Sequence, residues 1–359
     1  MDKKIKYYMP TKIVYEKNEI NNIDHYIAGR KALLVTSEGF VKRGLVDKIK
    51  SLTDKVVFVV SDIKSHPDFR DLKVTYNKVS SLDYDVILAV GGGSVIDTAK
   101  FLSVQSETKQ YQFVEDIIKK QSSSDNNYSL TPIISIPTTA GTGSEITPWA
   151  TIWDMEEKKK YSLHLPDLFS ECAIYDPVLT LSVPKEITIQ TGLDALSHAL
   201  ESIWNKNANE ITINYAVKAS KLIIENIVSL SKDLGSLEYR NSLMKACMYA
   251  GLSFSNTQTA IAHGMSYYIT AHKAVPHGIA CSFTLPMLID NIIGKYPFID
   301  KALVEIFGEL SSVKLRDILK SLNISTEFED YGILKAELAE LKLSLKNNLR
   351  AGNSLVGLD

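Results

Sequence analysis

Asp194 and His198 stand four residues apart in the run T-G-L-D-A-L-S-H-A-L-E. On an α-helix that spacing puts a carboxylate and an imidazole on one face, where both can point at one ion without help from distant chain. Two more imidazoles follow. His263 opens H-G-M-S-Y-Y, and His277 lies in V-P-H-G, where Pro276 is expected to end any helix and leave the ring on a turn. One carboxylate and three imidazoles make a complete donor set for a divalent cation, and such a cation would act as a Lewis acid. A lone histidine on an apolar helix more often serves packing, and an Asp-x3-His pair by itself is evenly balanced between the two roles. What tips the balance is the first half of the chain, which carries two glycine-rich segments suited to a phosphate-bearing cofactor.

The first of these, V-G-G-G-S-V-I-D-T-A-K, runs from Val90 to Lys100, directly after an apolar run and into a helical pattern. Gly91, Gly92 and Gly93 let the backbone approach a phosphate, and the helix start behind them offers N–H groups and the positive end of its dipole. The run is not G-x-G-x-x-G, and a glycine turn between strand and helix would also serve structure alone. Asp97 and Lys100 fall in the first helical turns, where Asp97 also fits as an N-terminal helix charge. The second segment, P-T-T-A-G-T-G-S-E-I-T from Pro137 to Thr147, groups the hydroxyls of Thr138, Thr139, Thr142 and Ser144 around Gly141 and Gly143.

The elements that must position these groups change character along the chain. Apolar, β-branched-rich runs at 31–37, 55–61, 85–90 and 132–137 alternate with helical patterns, as expected of strands buried on both faces of a parallel sheet with helices on either side. The polar stretch Q-S-S-S-D-N-N at 121–127 reads as a surface loop. From about Pro184 the pattern turns helical, as in the apolar spacing over 209–228. We therefore expect an α/β, Rossmann-like dinucleotide-binding domain over 1–180 and an all-α domain carrying the metal-ligand set over 181–359. Clefts between domains favour ligands, so cofactor and metal are expected to meet at the junction.

Composition sets the outer bounds. A chain of 359 residues is long enough for two cores, and its 45% apolar and 23% charged content is ordinary for soluble globular proteins. A net charge of −2 advertises no nucleic-acid surface, and the short runs K-K-I-K and E-E-K-K-K read as solvated faces. Neither a membrane span nor a signal peptide is suggested, because the charged start M-D-K-K-I-K-Y-Y-M-P has no apolar stretch. Cys172, Cys247 and Cys281 lie far apart and show no Cys-x-x-Cys spacing, so they read as small buried hydrophobes in a reducing cytoplasm.

Taken in order, G-G-G-S-x-x-D-x-A-K, P-T-T-A-G-T-G-S-E, D-P, T-G-L-D-A-L-S-H-A-L-E, H-G-M-S and P-H-G-x-A resemble the iron-containing, or group III, alcohol dehydrogenases over nearly the whole chain. The resemblance implies a dehydroquinate synthase-like architecture, usually a homodimer, with Asp194, His198, His263 and His277 as metal ligands. It further implies Gly92, Gly93, Ser94, Thr138, Thr139, Thr142 and Ser144 as cofactor contacts, with Lys160 near the nicotinamide. Hydride transfer from a reduced nicotinamide puts negative charge on a carbonyl oxygen, which a bound cation stabilises. Four protein ligands leave an open position on Fe²⁺, whereas a tetrahedral Zn²⁺ would be closed, so iron is expected and zinc is the alternative.

Two positions depart from the commonest pattern. Ser37 stands where NAD-preferring relatives carry an Asp, so NADPH is open beside NADH and the missing charge leans toward it. Tyr267 stands where many relatives carry a proton-passing histidine; its hydroxyl would join a relay, or its ring would simply pack. Segments including T-P-W-A-T-I-W-D and H-G-M-S-Y-Y-I-T-A-H are similar to the phosphonoacetaldehyde reductase branch, which implies an anionic aldehyde met by His272, Lys273, Lys160, Trp149, Trp204 or Asn207. The alternatives are reduction of simple short-chain aldehydes and, on the same architecture, a dehydroquinate synthase-like lyase.

Overall fold

The structure, a computed structural model, describes residues 5–106, 110–120, 128–157, 159–355 and 357, so the expected loop at 121–127 lies outside the described residues. The chain divides into two compact units. One holds Pro10–Thr139 and Ser144–Thr180; the other holds Leu181–Asp359 together with Met1–Met9 and Ala140–Gly143. The second glycine-rich segment is therefore shared, since its central four residues pack with the helical unit.

Among the described residues, ten strands lie in the first unit: β1 (Lys12–Tyr15), β2 (Ala32–Val35), β3 (Val56–Val60), β4 (Val86–Gly91), β5 (Val104–Gln105), β6 (Ser129–Leu130), β7 (Ile133–Pro137), β8 (Trp149–Asp154), β9 (Lys159–His164) and β10 (Cys172–Tyr175). Six form a parallel sheet in the order β1-β10-β7-β4-β2-β3. Alternate residues of each inner strand face opposite sides. Leu33, Val35, Ile87, Ala89 and Ile133 join the core formed with the helices Phe69–Val79, Gly93–Ser103 and Tyr111–Lys120. Ala32, Leu34, Val86, Leu88, Val90, Ile134 and Ile136 join the core formed with Ile23–Ile27 and Leu45–Leu52. Both faces are covered, which is why these strands read as unbroken apolar runs. The run at 55–61 departs from that expectation. It forms β3 at the end of the sheet, where Val57 and Phe58 are exposed.

β1 and β10 did not stand out as strands in the sequence, being only four residues each and interrupted by charged or aromatic side chains. The β8–β9 hairpin likewise hides in a polar, aromatic stretch. Because the sheet is parallel, the loops after β2, β4 and β7 all leave its C-terminal edge, the usual ligand edge of such folds.

In the other unit the helices Lys185–Ile203, Glu210–Lys232 and Leu237–Thr257 pack on one another. Asn209 starts the second with a capping box, its side chain accepting from Thr212 N while the Thr212 hydroxyl accepts from Asn209 N. Helix Lys185–Ile203 is surrounded: from Gly192 to Ile203 every residue is buried, including the polar Asp194, Ser197, His198, Glu201 and Ser202. Polar groups at such depth are costly unless partnered. Among the described residues no helix is long and apolar enough to cross a membrane.

Candidate active site

Asp194 Oδ1 is the meeting point of the helical unit's polar interior. His263 Nε2 lies 3.4 Å from it, and His198 Nε2 and His277 Nε2 each lie 3.9 Å from it. Donors bound at about 2.1 Å to one ion stand roughly 3–4 Å apart, so these separations match a shared metal. Asp194 Oδ1 and His263 Nε2 are buried and complete no hydrogen bond among the described residues, a state that a cation would relieve. Phe254 stacks on the His198 ring at 4.0 Å, and the His198 and His263 rings stack at 4.5 Å, which fixes both planes. The residues present thus fit a metal ion.

The electrostatics agree. Burial alone would push the Asp194 carboxyl up, yet His198, His263 and His277 hold it well below the usual carboxylate range. Burial works against charge on His263, but Cys281, Glu201 and Asp194 hold its ring well above the ordinary imidazole value. Surroundings that keep an extra proton on a buried imidazole favour a cation at that point.

Supporting groups aim the donors. Glu201, fully buried and one helical turn beyond His198, accepts from Ala260 N at 3.0 Å, Ala262 N at 2.5 Å and His263 N at 3.3 Å. It thereby caps helix Ile261–Lys273, whose first N–H groups have no intrahelical partner. The same carboxylate stands 2.5 Å from His263 Nδ1 and keeps the proton there, leaving the Nε2 lone pair for a metal. Ser266 Oγ donates to His263 O at 2.8 Å and lies 3.4 Å from His277 Nδ1, which favours the same tautomer on His277. Glu201 was visible in the sequence as the end of D-A-L-S-H-A-L-E, on the Asp194 face, but only the fold reveals its partner.

His277 is not on a turn. It opens a short helix, His277–Ser282, with Pro276 as its N-cap, because a residue without an N–H loses nothing at a helix start. Gly278 presses this helix onto Lys185–Ile203: a Cβ there would lie 1.9 Å from Gln190 O and 3.2 Å from Asp194 Cβ. One turn on from His277, Cys281 Sγ lies 3.8 Å from His277 Nε2, and the donor atoms of Asp194, His263, His277 and Cys281 all fall within 4.8 Å of one another. All three cysteines are free and buried, as expected of small hydrophobes, but Cys281 also borders the donor set.

In the α/β unit the phosphate-type loops converge. Gly91 ends β4, Gly92 is the N-cap of Gly93–Ser103 without a side-chain cap, and a Cβ on Gly92 would meet Thr139 Oγ1 at 3.2 Å. Thr138 N donates to Gly91 O at 3.0 Å, and the Thr138 hydroxyl is buried with no hydrogen-bond partner among the described residues. A backbone cradle with one orphaned hydroxyl fits a pyrophosphate. Ser94 Oγ accepts from His66 N at 3.3 Å, His66 meets the Trp153 ring at 5.2 Å, and Lys160 on β9 lies 5.7 Å from the same ring. Burial, then Lys160, push the His66 imidazole down. His66 did not stand out in the sequence, and its φ of 59° becomes visible only in the fold. Ser37, past β2, bridges to Asp62, whose carboxylate pairs with Lys78 at 2.8 Å. Asp97, the fifth residue of Gly93–Ser103, is buried and accepts from Thr151 N at 3.0 Å, and so faces β8 rather than the helix start. Thr142 belongs to the four residues packed with the helical unit, where a Cβ on Gly141 would strike Thr191, while Ser144 opens a 3₁₀ turn in the α/β unit.

Residues 10–177 match the family model for iron-containing alcohol dehydrogenase, and residues 188–353 match the Fe-containing alcohol dehydrogenase family, C-terminal. The chain belongs to the iron-containing alcohol dehydrogenase family. These are oxidoreductases that use iron and NAD(P). The chain is 32% identical over 78% of its length to an aldehyde-alcohol dehydrogenase of Streptococcus pneumoniae, and it spans only a third (33%) of that protein. It is 29% identical to a sulfoacetaldehyde reductase of Bilophila wadsworthia over 94% of this chain and 91% of that protein. A sulfoacetaldehyde reductase from Bifidobacterium kashiwanohense, solved in complex with NAD+, matches with a TM-score of 0.90 at 26% identity, covering 99% of this chain and 95% of that chain.

For an iron-containing alcohol dehydrogenase the remaining expected positions divide sharply. Tyr267, one turn after His263, stacks nearly parallel to the His277 ring at 6.2 Å and so borders the donor set. His272 and Lys273 do not. His272 stands nine residues along the helix from His263, about 14 Å along its axis, and its Nδ1 pairs with Tyr268 O at 3.1 Å. Lys273 is bound to Glu337 at 2.8 Å and to Gly332 O at 2.9 Å, which makes it a fastener of the C-terminal segment. Trp149 lies in the α/β unit, its carbonyl accepting from Lys100 and its ring edge-on to His164.

Proposed function

We propose that this protein reduces a small aldehyde to its alcohol with NADH or NADPH, at a divalent metal held by Asp194, His198, His263 and His277. The observation that carries the reading is the approach of three imidazole Nε2 atoms to a single carboxylate oxygen. When bound, Fe²⁺, with Zn²⁺ as the alternative, supplies a Lewis acid for the carbonyl oxygen. The chain's own residues do the rest. Glu201 and Ser266 orient the imidazoles, and Phe254 and the buried helix Lys185–Ile203 keep water from the donors. Gly92, Gly93, Ser94, Thr138 and Thr139 cradle the coenzyme phosphates, and Lys160 serves its nicotinamide end. A reduced nicotinamide held there would supply hydride to the carbonyl carbon, with a proton reaching the oxygen by way of Tyr267, water or the coenzyme ribose, to give alcohol and NAD(P)+.

The substrate we propose is phosphonoacetaldehyde, giving 2-hydroxyethylphosphonate. The two sulfoacetaldehyde reductases among the relatives support a two-carbon aldehyde with a tetrahedral anionic head, since sulfonate and phosphonate share that shape. We take the enzyme to be a cytoplasmic homodimer. The test is an aldehyde panel with each coenzyme after anaerobic loading with Fe²⁺ or Zn²⁺. Higher kcat/KM for phosphonoacetaldehyde than for propanal or butanal supports the substrate. Preference for the plain aldehydes would leave the reductase but replace its substrate, and no coenzyme oxidation with any aldehyde would end both readings.

A further inference from the structure

We propose that Arg350 reads the substrate's charge, and that the aldehyde it selects carries a tetrahedral oxyanion. This rests on the reductase reading above. Two short turns near the chain's end, Leu345–Asn347 and Ala351–Asn353, pack against helix Ile261–Lys273 beside His263. The contact point is Gly264: a Cβ there would lie 3.1 Å from Leu345 Cδ2 and 3.4 Å from Ala351 Cβ. Arg350 sits between the two turns. Its Nη1 donates to Thr259 Oγ1 at 3.0 Å, and its Cζ lies 5.9 Å from the centroid of the Tyr267 ring. That ring is the one stacked on His277 at 6.2 Å, so a single aromatic side chain separates the guanidinium from the donor set.

Arg350 is half-buried and forms no ion pair with a carboxylate among the described residues. Arginine stays charged at any working pH, and a partly desolvated charge without a counter-ion is unfavourable. Its planar fork matches two oxygens of a phosphonate or sulfonate at once. The lysine expected for this role, Lys273, is already taken by Glu337. Arg350 is thus a cation beside the site, and an anionic head group on the Tyr267 side would give its guanidinium a charged partner.

The experiment compares wild type, Arg350→Lys and Arg350→Gln with phosphonoacetaldehyde, sulfoacetaldehyde and propanal, and separately measures binding of 2-hydroxyethylphosphonate and 1-propanol by calorimetry. The ratio of kcat/KM for the anionic aldehydes to that for propanal should fall roughly tenfold or more in Arg350→Gln, mainly through KM, with partial recovery in Arg350→Lys. The phosphonate alcohol should lose affinity by a similar factor while propanol does not. An unchanged ratio with unchanged phosphonate binding overturns the proposal, as does a rise in coenzyme KM with the aldehyde ratio intact, which would assign Arg350 to the coenzyme. Preference for propanal in wild type removes the oxyanion substrate and leaves the reductase standing. If no aldehyde is reduced, the binding comparison still decides Arg350.

Discussion

Glu201 faces His263 Nδ1 at 2.5 Å with a carboxylate that no solvent reaches, and the same carboxylate caps the helix on which His263 sits. One side chain thus sets the entry of that helix, the tautomer of the imidazole and the direction of its Nε2. In Glu201→Gln the amide nitrogen would oppose the Nδ1–H and drive the ring to the other tautomer. Metal affinity, read by competition with a chromogenic chelator, should fall about 10–100-fold. Unaltered affinity would show that the pair serves helix capping alone.

The donor set makes a sharper comparison between His198 and Cys281. Four ligands from Asp194, His198, His263 and His277 require that His198→Ala lose bound metal and that Cys281→Ala retain it. Metal analysis of both proteins after dialysis checks this. Loss from Cys281→Ala with retention in His198→Ala would move the thiol, 3.8 Å from His277 Nε2, into the ligand set.

Removing the metal should also cost stability, because an ion bound only by the folded chain adds about 2.7 kcal/mol at a free concentration 100 times its Kd. Treatment with a chelator is expected to lower the Tm, and readdition of Fe²⁺ or Zn²⁺ to restore it. The same cycle in Asp194→Asn should show little response.

Gly278→Ala asks for a methyl group 1.9 Å from Gln190 O, a backbone atom that cannot step aside. Overpacking of this kind typically costs 1–3 kcal/mol, and about that or more is expected here, together with weakened metal binding as His277 is displaced. Gly352→Ala, where nothing lies within 4 Å, is the control and should stay within about 0.5 kcal/mol of wild type. Denaturant melts of the two variants distinguish a local clash from a general intolerance of alanine.

Lys100 predicts a pH dependence of stability. Burial pushes its ammonium down to about 8 from 10.5, against the pull of Asp97 and Glu145. Between these values the unfolded chain binds the proton that the folded chain has released, so stability rises as pH climbs from about 8 to 10.5. Asp97 works the other way: burial raises it from 3.8 to about 6, the folded chain holds the extra proton, and its contribution falls as pH rises through that window. Urea midpoints at stepped pH should show the alkaline rise in wild type relative to Lys100→Met. Parallel profiles for the two proteins would refute the assignment.

Much of this protein was legible in its amino-acid order because the signals were local. Asp194 and His198 share a helix face by spacing alone, and unbroken apolar runs such as V-I-L-A-V announced strands buried on both sides. The glycine triplet that begins at the last residue of β4 marked where a helix start and a close backbone approach had to follow. A motif of this length needs no tertiary contact to be recognised.

Other features depended on which distant surfaces meet. Whether His277 sat on a turn or opened a helix turned on Gly278 finding the backbone of Gln190, 88 positions earlier in the chain. The second role of Cys281 and the pairing of Glu201 with His263 are equally invisible in one dimension, because a buried polar side chain is defined by what the fold brings to it. Lys273 is occupied by Glu337, and Arg350, which the sequence did not single out, stands against Tyr267 only because the last turns pack on helix Ile261–Lys273. The sequence determined which atoms were on hand to grip a cation; the tertiary structure decided which of them share it, which only hold the others in place, and which are occupied elsewhere, since each of those roles is a matter of a few ångströms between residues far apart in the chain.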